Sequence, residues 1–276
     1  MDILGVRIDS IYGEAVLAQI QAYFDDGKKH HIVTVNPEFV VDSQLNNQFF
    51  EVLKKSDMSL VDGIGILIGM LYLNKYTNEG RKKSSKVVNY LRLFKCYWVV
   101  MQSGGEVEID NVKYRKTTGT DLVWMVVQQD FMKYRKIYLI GGVGNVASRA
   151  VKRLSVINSH VQFRFSNGHK NVRDMQPVED EKIIADINQF SPDILLVGYG
   201  HPYQDLWIDS IKEKANFKVA IGVGGAFDFI SKDVPRAPVW VRKIGMEWAY
   251  RLFRDPKRYK RIISATVRYA DLLFVK

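Results

Sequence analysis

One pattern recurs along this sequence of 276 residues: a short apolar run, a turn containing glycine, and then a stretch with helical spacing of apolar residues. Short apolar runs that end in glycine turns are typical of buried strands. Repeated strand, turn and helix units pack as a parallel sheet covered by helices. The sequence therefore predicts an α/β fold with a Rossmann-like, mostly parallel sheet and flanking helices. The clearest strand candidates are 58–61, 136–140, 192–200 and 217–221.

The turn after the run at 58–61 carries an acidic residue, Asp62. Ligands of open parallel sheets bind outside the carboxyl ends of the strands, where such a turn lies. A carboxylate there can accept a proton from an attacking hydroxyl, and apolar surroundings would raise its pKa toward a useful value. Aspartate is also a favoured N-cap, so Asp62 could instead satisfy the first amides of the next helix. The turn alone leaves both interpretations open.

Two polar residues are expected at the same edge as Asp62. The strand at 31–35 must end before Pro37, because proline has no amide hydrogen and disfavours helical geometry at Asn36. Thr34 and Asn36 therefore lie where this strand ends. Ordinary strand-end and turn chemistry is the simpler explanation of both residues.

The turn Gly141-Gly142-Val143-Gly144 has small residues that let backbone amides approach an anion at a helix N-terminus. With Ala147 it also fits the dinucleotide fingerprint Gly-x-Gly-x-x-Ala. That fingerprint requires an acidic residue about 20 positions later, at the end of the next strand. The stretch 161–167 has none, which favours a mononucleotide diphosphate over a dinucleotide. Gln204, in the first turn of a later helix, is expected near the same crevice.

Composition narrows the class of protein. A hydrophobic fraction of 47% with 25% charged residues describes a globular chain with a sizeable core. The single cysteine excludes an internal disulfide framework and a cysteine-cluster zinc site, so a reducing compartment is the simpler assumption. The N-terminus lacks the pattern of a signal peptide, and no apolar run approaches the roughly 18 residues of a membrane span. A net charge of +10 indicates an anionic partner: nucleic acid, a membrane surface or a phosphorylated substrate.

Two regions depart from the sheet pattern. The stretch at about 74–116 combines a basic segment (81–86), an aromatic segment and an acidic segment with alternating apolar residues (106–110). We interpret it as a solvated excursion with its own hairpin. The alternative is a basic and aromatic surface element that contacts a membrane or a partner. Residues 235–276 form a basic helical tail with interleaved aromatics, a pattern that suits anionic lipid headgroups. Nucleic acid could use the same charges, and part of the aromatic stripe is expected to pack onto the sheet domain. We therefore divide the chain into a Rossmann-like catalytic domain (1–234) and a basic aromatic C-terminal appendage that associates with membranes (235–276).

Several stretches together resemble the bacterial WecG/TagA/CpsF glycosyltransferases, in the order that this family has them. The matching residues are Thr34-Val35-Asn36-Pro37-Glu38, Val61-Asp62-Gly63-Ile64-Gly65, Thr118-Gly119-Thr120-Asp121-Leu122, Leu139-Ile140-Gly141-Gly142, Pro192-Asp193, Gly200-x-Pro202-x-Gln204, Gly222-Val223-Gly224-Gly225-Ala226-Phe227-Asp228, Arg236-Ala237-Pro238 and Gly245-Met246-Glu247-Trp248.

The resemblance implies an inverting transfer of a sugar from a UDP-sugar to a polyprenyl-diphosphate-linked sugar, in cell-surface polysaccharide or teichoic acid biosynthesis. The sugar would be of the N-acetylmannosamine type, glucose or a uronic acid. It implies Asp62 as the general base and an acceptor site with Thr34, Asn36, Arg242, Arg251 and Arg254. The nucleotide-sugar side would contain Thr118, Gly119, Asp121, Gly141, Gly142, Gly198, Gln204 and Gly224.

The same resemblance places the protein on the cytoplasmic face of the membrane as a peripheral protein, with no nucleic-acid partner. A homo-oligomer that covers apolar residues of the tail is kept open. No cofactor is expected, and because no Asp-x-Asp motif stands at a strand end, amides and basic side chains rather than a divalent metal are predicted to stabilise the departing UDP.

The sequence also departs from the family pattern. The excursion at 74–116 is longer than expected, Lys116 replaces a usual arginine, and Asp205 replaces a usual glutamate. These departures leave the acceptor and the phosphate contacts open. The alternative function is a non-catalytic basic protein that binds lipid or nucleic acid through its C-terminal tail.

Overall fold

The fold is known from a computed structural model that describes residues 1–76, 85–243 and 245–275. The described residues form a six-stranded, all-parallel sheet with the strand order β4-β3-β10-β9-β7-β8, and two small antiparallel hairpins, β1-β2 and β5-β6. The strands are β1 (Asp2–Ile3), β2 (Val6–Arg7), β3 (His30–Val35), β4 (Met58–Val61), β5 (Glu106–Ile109), β6 (Val112–Arg115), β7 (Lys136–Gly141), β8 (Gln162–Ser166), β9 (Ile194–Gly198) and β10 (Val219–Gly222).

Helices cover both faces of this sheet. They are α1 (Glu14–Tyr23), α2 (Pro37–Leu45), α3 (Asn47–Lys55), α4 (Ile64–Tyr76), α5 (Lys86–Gln102), α6 (Gly119–Val127), α7 (Val146–Ile157), α8 (Pro177–Phe190), α9 (Tyr203–Ile211), α10 (Ala226–Ile230), α11 (Val239–Lys243), α12 (Glu247–Arg254), α13 (Tyr259–Ile263) and α14 (Tyr269–Val275). Short 3-10 turns lie at Asp130–Met132 and Pro256–Arg258, and a π turn at Ser264–Arg268 joins α13 to α14.

The core is divided by the sheet into two layers. Successive side chains of a strand point to opposite faces, so Ile32 packs with α1, α6, α7 and α10 whereas Val33 packs with α2, α3 and α4. The helix that follows β3 therefore lies on one face, and the helix that follows the neighbouring strand β10 lies on the other. Adjacent strands whose chains leave to opposite faces open a crevice at their carboxyl ends.

The C-terminal segment packs against the sheet domain. Tyr269 and Leu273 of α14 are buried with residues of α2 and α4. Arg261 of α13 forms a bidentate ion pair with the buried Glu38 of α2, with Nη2 2.7 Å from Oε2 and Nε 3.1 Å from Oε1. No helix in the described part of the chain is long and apolar enough to cross a bilayer.

The predicted fold class is confirmed, with local differences. Helix α6 ends at Val127, and a separate 3-10 turn at Asp130–Met132 follows it. The excursion contains the hairpin β5-β6 and also the 17-residue helix α5, which was not predicted. Most of the basic segment at 81–86 lies outside the described residues. The division of the chain at residue 234 stays a prediction.

Candidate active site

The carboxyl ends of five parallel strands form one edge, along which the predicted site residues are distributed. Asp62 follows the outermost strand β4, and its backbone amide donates to the Val35 carbonyl of β3 at 2.7 Å. In order along the edge follow Asn36 after β3, Gly224 after β10, Gly198 in β9, and Gly141 and Gly142 at the end of β7.

The Asp62 turn is shaped by its neighbours in the chain and in space. Gly63 adopts a φ of +98°, in the left-handed region that favours glycine, and α4 begins at the next residue. On the open side of β4, the Thr117 amide donates to the Val61 carbonyl at 2.7 Å. This hydrogen bond holds the segment that follows the hairpin β5-β6 against the end of β4, and so places the N-terminus of α6 beside Asp62.

Burial and four neighbouring charges set the acidity of Asp62. Burial is the largest influence and raises the pKa of the carboxyl to about 6; Arg251 and Lys116 act to lower it, while Glu247 and Asp121 act to raise it. The residue as a whole keeps an intermediate exposure to solvent, so Asp62 is not sealed off by its neighbours although its carboxyl is strongly desolvated. None of these main influences is a hydrogen bond, so the electrostatics give no support to the N-cap interpretation. A carboxyl with this pKa is ionised at neutral pH and can still bind a proton readily.

Beside Asp62, the first turn of α6 carries a second carboxylate that is fully paired. Thr118 is the N-cap of α6 and its Oγ1 accepts a hydrogen bond from the Asp121 amide at 3.2 Å. Arg236 binds the Asp121 carboxylate with both guanidinium nitrogens, at 2.6 and 2.9 Å. Burial alone would raise the pKa of Asp121, but the hydrogen bonds from Arg236 and Thr118 outweigh it, so the pKa lies below its usual value. Asp121 therefore stays ionised near neutral pH and is a weaker base than Asp62.

The three arginines predicted at the acceptor site, Arg242, Arg251 and Arg254, have different environments. Arg251 is the one whose charge acts on Asp62; its Nη2 donates to Glu247 at 2.7 Å and its guanidinium lies 4.5 Å from the Phe229 ring centre. Its Nε is buried and has no hydrogen-bond partner among the described residues. Arg242 donates from Nε to the Ala237 carbonyl at 3.1 Å, and Arg254 is exposed at the end of α12.

Thr34 and Asn36 make local hydrogen bonds at the centre of the edge. Thr34 is buried in β3, and its hydroxyl donates to the Gly222 carbonyl of β10 at 3.0 Å. Asn36 is the N-cap of α2, where its Oδ1 accepts from the Glu38 amide at 2.9 Å. Both residues thus have the structural tasks that strand-end chemistry predicts, while they lie next to Asp62 along the sheet edge.

The glycines of the edge allow backbones to approach closely. Gly141 has a φ of +107°, and a β-carbon there would lie 2.9 Å from the Gly198 carbonyl oxygen. At Gly198 a β-carbon would lie 2.8 Å from the Phe227 ring, and at Gly119 it would lie 3.2 Å from the Val223 backbone. Gly142 also has a positive φ, +87°, in the turn that leads to α7 at Val146. Packing of the strand ends therefore requires glycine at several of these positions, independently of any ligand.

Gln204 supports one of these turns from below. Its side chain is 1% exposed, and its Oε1 accepts a hydrogen bond from the Gly224 amide at 2.9 Å. Gly224 itself has a φ of +52°. The contact fixes the turn between β10 and α10, so Gln204 acts on the sheet edge by holding a backbone segment in place.

The structure gathers part of the predicted set around Asp62 and leaves part of it at a distance. Asp121, Thr118 and Arg251 cluster near Asp62, whereas the Gly141 turn lies four strand spacings along the edge, about 19 Å away. An extended nucleotide-sugar could bridge such a span. Within 1–76, 85–243 and 245–275, no group of three or more His, Cys, Asp or Glu side chains is arranged to hold a metal ion.

Arg236 and Glu247 join the cluster although they were not predicted as site residues. Both belong to the motifs Arg236-Ala237-Pro238 and Gly245-Met246-Glu247-Trp248, which supported the family resemblance. Their membership in those motifs was the available signal. Their partners could not be inferred, because Arg236 and Asp121 are 115 residues apart in the chain.

Comparison with known proteins is consistent with this geometry. The model of the glycosyl transferase WecG/TagA/CpsF family matches residues 1–95 and 109–276. A Bacillus subtilis (strain 168) N-acetylglucosaminyldiphosphoundecaprenol N-acetyl-beta-D-mannosaminyltransferase is 27% identical over 259 residues, which cover 90% of this chain and 84% of the relative. A Staphylococcus aureus (strain MRSA252) protein of the same name is 24% identical over 269 residues, 97% of this chain and 89% of the relative. These similarities favour an enzyme over a non-catalytic binding protein, and the chain is a glycosyltransferase that belongs to the WecG/TagA/CpsF family.

Proposed function

We propose that the protein transfers N-acetylmannosamine from its UDP-sugar to the N-acetylglucosamine of a polyprenyl-diphosphate-linked acceptor, with inversion at the anomeric carbon. The names of the Bacillus and Staphylococcus relatives support this acceptor and this sugar. Belonging to the same family over most of the chain supports the same reaction class. The product would enter the synthesis of a cell-surface polymer such as a teichoic acid.

The observation that carries the proposal is the environment of Asp62. With a pKa of about 6, the carboxylate is mostly ionised at pH 7, yet it is basic enough to take a proton from a sugar hydroxyl. As this proton moves to Asp62, the hydroxyl oxygen attacks the anomeric carbon from the face opposite UDP. The bond from the anomeric carbon to the UDP oxygen breaks, and the electron pair leaves with UDP.

The remaining residues are assigned to binding. Arg251 and Lys116, the cations that act on Asp62, are assigned to the diphosphate of donor or acceptor. Thr34, Asn36, Arg242 and Arg254 stay assigned to the acceptor side. The nucleotide is assigned to the glycine turns at Gly141, Gly142 and Gly224, where backbone amides and the start of α7 favour negative charge. Because the acceptor is a lipid, the protein is proposed to act as a peripheral protein on the cytoplasmic face of the membrane.

The test is release of UDP from a panel of UDP-sugars in the presence of a short-chain polyprenyl-diphosphate N-acetylglucosamine. We expect acceptor-dependent release from UDP-N-acetylmannosamine, and its loss in Asp62→Asn. Asp130→Asn is the matched control, because it makes the same chemical change at a side chain that is 92% exposed. If Asp62→Asn released UDP at the rate of the unmodified protein, another group would have to be the base.

A further inference from the structure

Helix α5 is apolar on two opposite faces. Its inner face buries Cys96 and Val100 in the cluster that contains α4. Its outer face carries four large apolar side chains at i, i+4, i+7 and i+11, which lie in one line along the helix. These residues, called the outer stripe, are Val87, Leu91, Phe94 and Trp98, which are 69%, 58%, 63% and 56% exposed. A helix that is apolar all round is normally covered on every side, so the outer stripe indicates a missing partner.

The charges of α5 identify the chemistry of that partner. The helix has the sequence KVVNYLRLFKCYWVVMQ, which contains three basic residues and no acidic one. Lys95 is exposed beside the outer stripe, as cations are on helices that lie in an anionic bilayer interface, and Lys86, also exposed, is paired with Asp271 of α14 at 3.2 Å. A second copy of the chain would bring a net charge of +10 against +10, which opposes self-association through a basic face.

The two ends of α5 connect the outer stripe to the rest of the molecule. Near its start, the Tyr90 ring lies 5.0 Å from the ring of Phe274 in α14, so the helix is fixed on the C-terminal segment. Near its end, a β-carbon added at Gly245 would lie 3.1 Å from Met101 Cε and would also touch Ile64. Ile64 begins α4 directly after the Asp62 turn. The helix that carries the outer stripe therefore contacts α14 near its start and the region next to the Asp62 turn near its end.

We propose that the outer stripe of α5 inserts into the interface of an anionic lipid bilayer and holds the Asp62 crevice at the membrane surface. This inference rests on the proposed function, because the diphosphate of the lipid-linked acceptor would then meet the crevice at headgroup depth. The family model matches the chain up to residue 95, so Val87, Leu91 and Phe94 lie within the matched part and Trp98 lies outside it. Rings and aliphatic side chains at a depth of about 5 to 10 Å would supply the apolar contact.

The test compares binding to vesicles of phosphatidylglycerol and phosphatidylethanolamine by flotation. We expect the double variant Phe94→Ser, Trp98→Ser to lower the vesicle partition coefficient by about tenfold or more, because two exposed rings leave the interface. The matched control is Tyr134→Ser, Val156→Ser, which removes two apolar side chains that are 75% and 86% exposed on other elements. It should bind as the unmodified protein does. Both variants change exposed positions, so their melting temperatures should be nearly unchanged.

Two results would overturn the proposal: equal vesicle binding by the double variant and the control, or a lipid-free dimer that the double variant dissociates in sedimentation. The second result would assign the outer stripe to a self-interface. The proposed function is tested separately, with a short-chain acceptor that needs no membrane, and there the double variant should turn over within about twofold of the unmodified protein. An unmodified protein that binds vesicles through α5 but uses no donor would refute the function alone.

Discussion

The sheet edge and the C-terminal segment build the same site by different means. At the sheet edge, backbone hydrogen bonds fix each position: the Asp62 amide binds the Val35 carbonyl, and the Thr117 amide binds the Val61 carbonyl. The C-terminal segment is attached by apolar packing of Tyr269 and Leu273 and by side-chain ion pairs, of which Arg236 with Asp121 and Arg261 with Glu38 are bidentate. Backbone contacts of a parallel sheet depend little on salt, whereas ion pairs at a surface weaken as salt rises. The site thus combines a sheet edge held by backbone hydrogen bonds with a C-terminal segment whose attachment depends in part on charge.

The largest effect is expected at Asp62, where function and stability should change in opposite directions. Asp62→Asn should lower kcat by a factor of about 100 or more, because the general base is lost. The pKa of Asp62 is raised to about 6 in the folded state, so ionisation above that pH costs folding free energy. Removing the charge should therefore stabilise the protein by about 1 to 3 kcal/mol at pH 7. Activity assays and chemical denaturation measure the two effects.

The difference in stability between the unmodified protein and Asp62→Asn should depend on pH. Below about pH 4 the carboxyl is protonated in folded and unfolded chains alike, so the unmodified protein and Asp62→Asn should be equally stable there. The stability gap should open between about pH 4 and pH 6 and then stay constant. The kcat/KM of the unmodified protein should rise over the same range, with a midpoint near pH 6. A stability gap that is independent of pH would contradict the raised pKa.

The next effect is expected where the C-terminal segment reaches the sheet edge. Arg236→Ala leaves the partly buried Asp121 carboxylate without its bidentate partner, which should cost about 1 to 3 kcal/mol of stability. Activity should fall by roughly tenfold or more, since this carboxylate lies beside Asp62. Arg236→Lys is the control, because it keeps the charge but cannot bind both oxygens in one plane. If lysine restored full activity, charge rather than bidentate geometry would be what matters.

A smaller effect is expected for the pair of Arg261 and Glu38, which lies outside the site. The Arg261 side chain is 52% exposed, so the coupling energy in a double-mutant cycle with Arg261→Gln and Glu38→Gln should be about 1 kcal/mol or less. It should shrink further between 50 mM and 1 M salt, in contrast to the backbone contacts. A coupling energy that salt does not change would mean that the pair is shielded from solvent when the protein is folded.

The smallest effect concerns a contact that does not depend on charge. The Tyr269 hydroxyl is buried against Gly69 of α4 and has no hydrogen-bond partner among the described residues. Tyr269→Phe removes this polar atom from an apolar site, so it should leave stability unchanged or raise it by about 1 kcal/mol. Thermal unfolding measures the change, and it should not depend on salt. A loss of stability would reveal a partner for the hydroxyl in solution.

Local patterns predicted the parts of the fold that local interactions determine. The strand ends at Val35 and Val61 and the glycine turn at Gly141 follow from short runs and turn residues. The same reasoning placed Asp62 and Asn36 at one edge, because parallel strands share the direction of their carboxyl ends. It could not give the strand order, which puts the Gly141 turn four strands from Asp62.

Two features escaped prediction for identifiable physical reasons. Helix α5 is apolar on both faces, so its sequence lacks the one-sided periodicity by which a helix is recognised. The pair of Arg236 and Asp121 joins residues 115 positions apart, and the charge pattern of either stretch is equally compatible with solvent exposure. Both features depend on tertiary contacts between parts of the chain that are distant in sequence, which local patterns do not contain.

The inner face of α5 also carries a residue whose chemical labelling rate can report how often that helix opens. Cys96 is the only cysteine of the chain and is 1% exposed, and burial raises the pKa of its thiol to about 11. A thiol reagent can therefore react only when α5 lifts from α4, so the labelling rate reports how often this happens. If vesicles hold the helix in place, labelling should slow when they are added, without any foreign probe being attached.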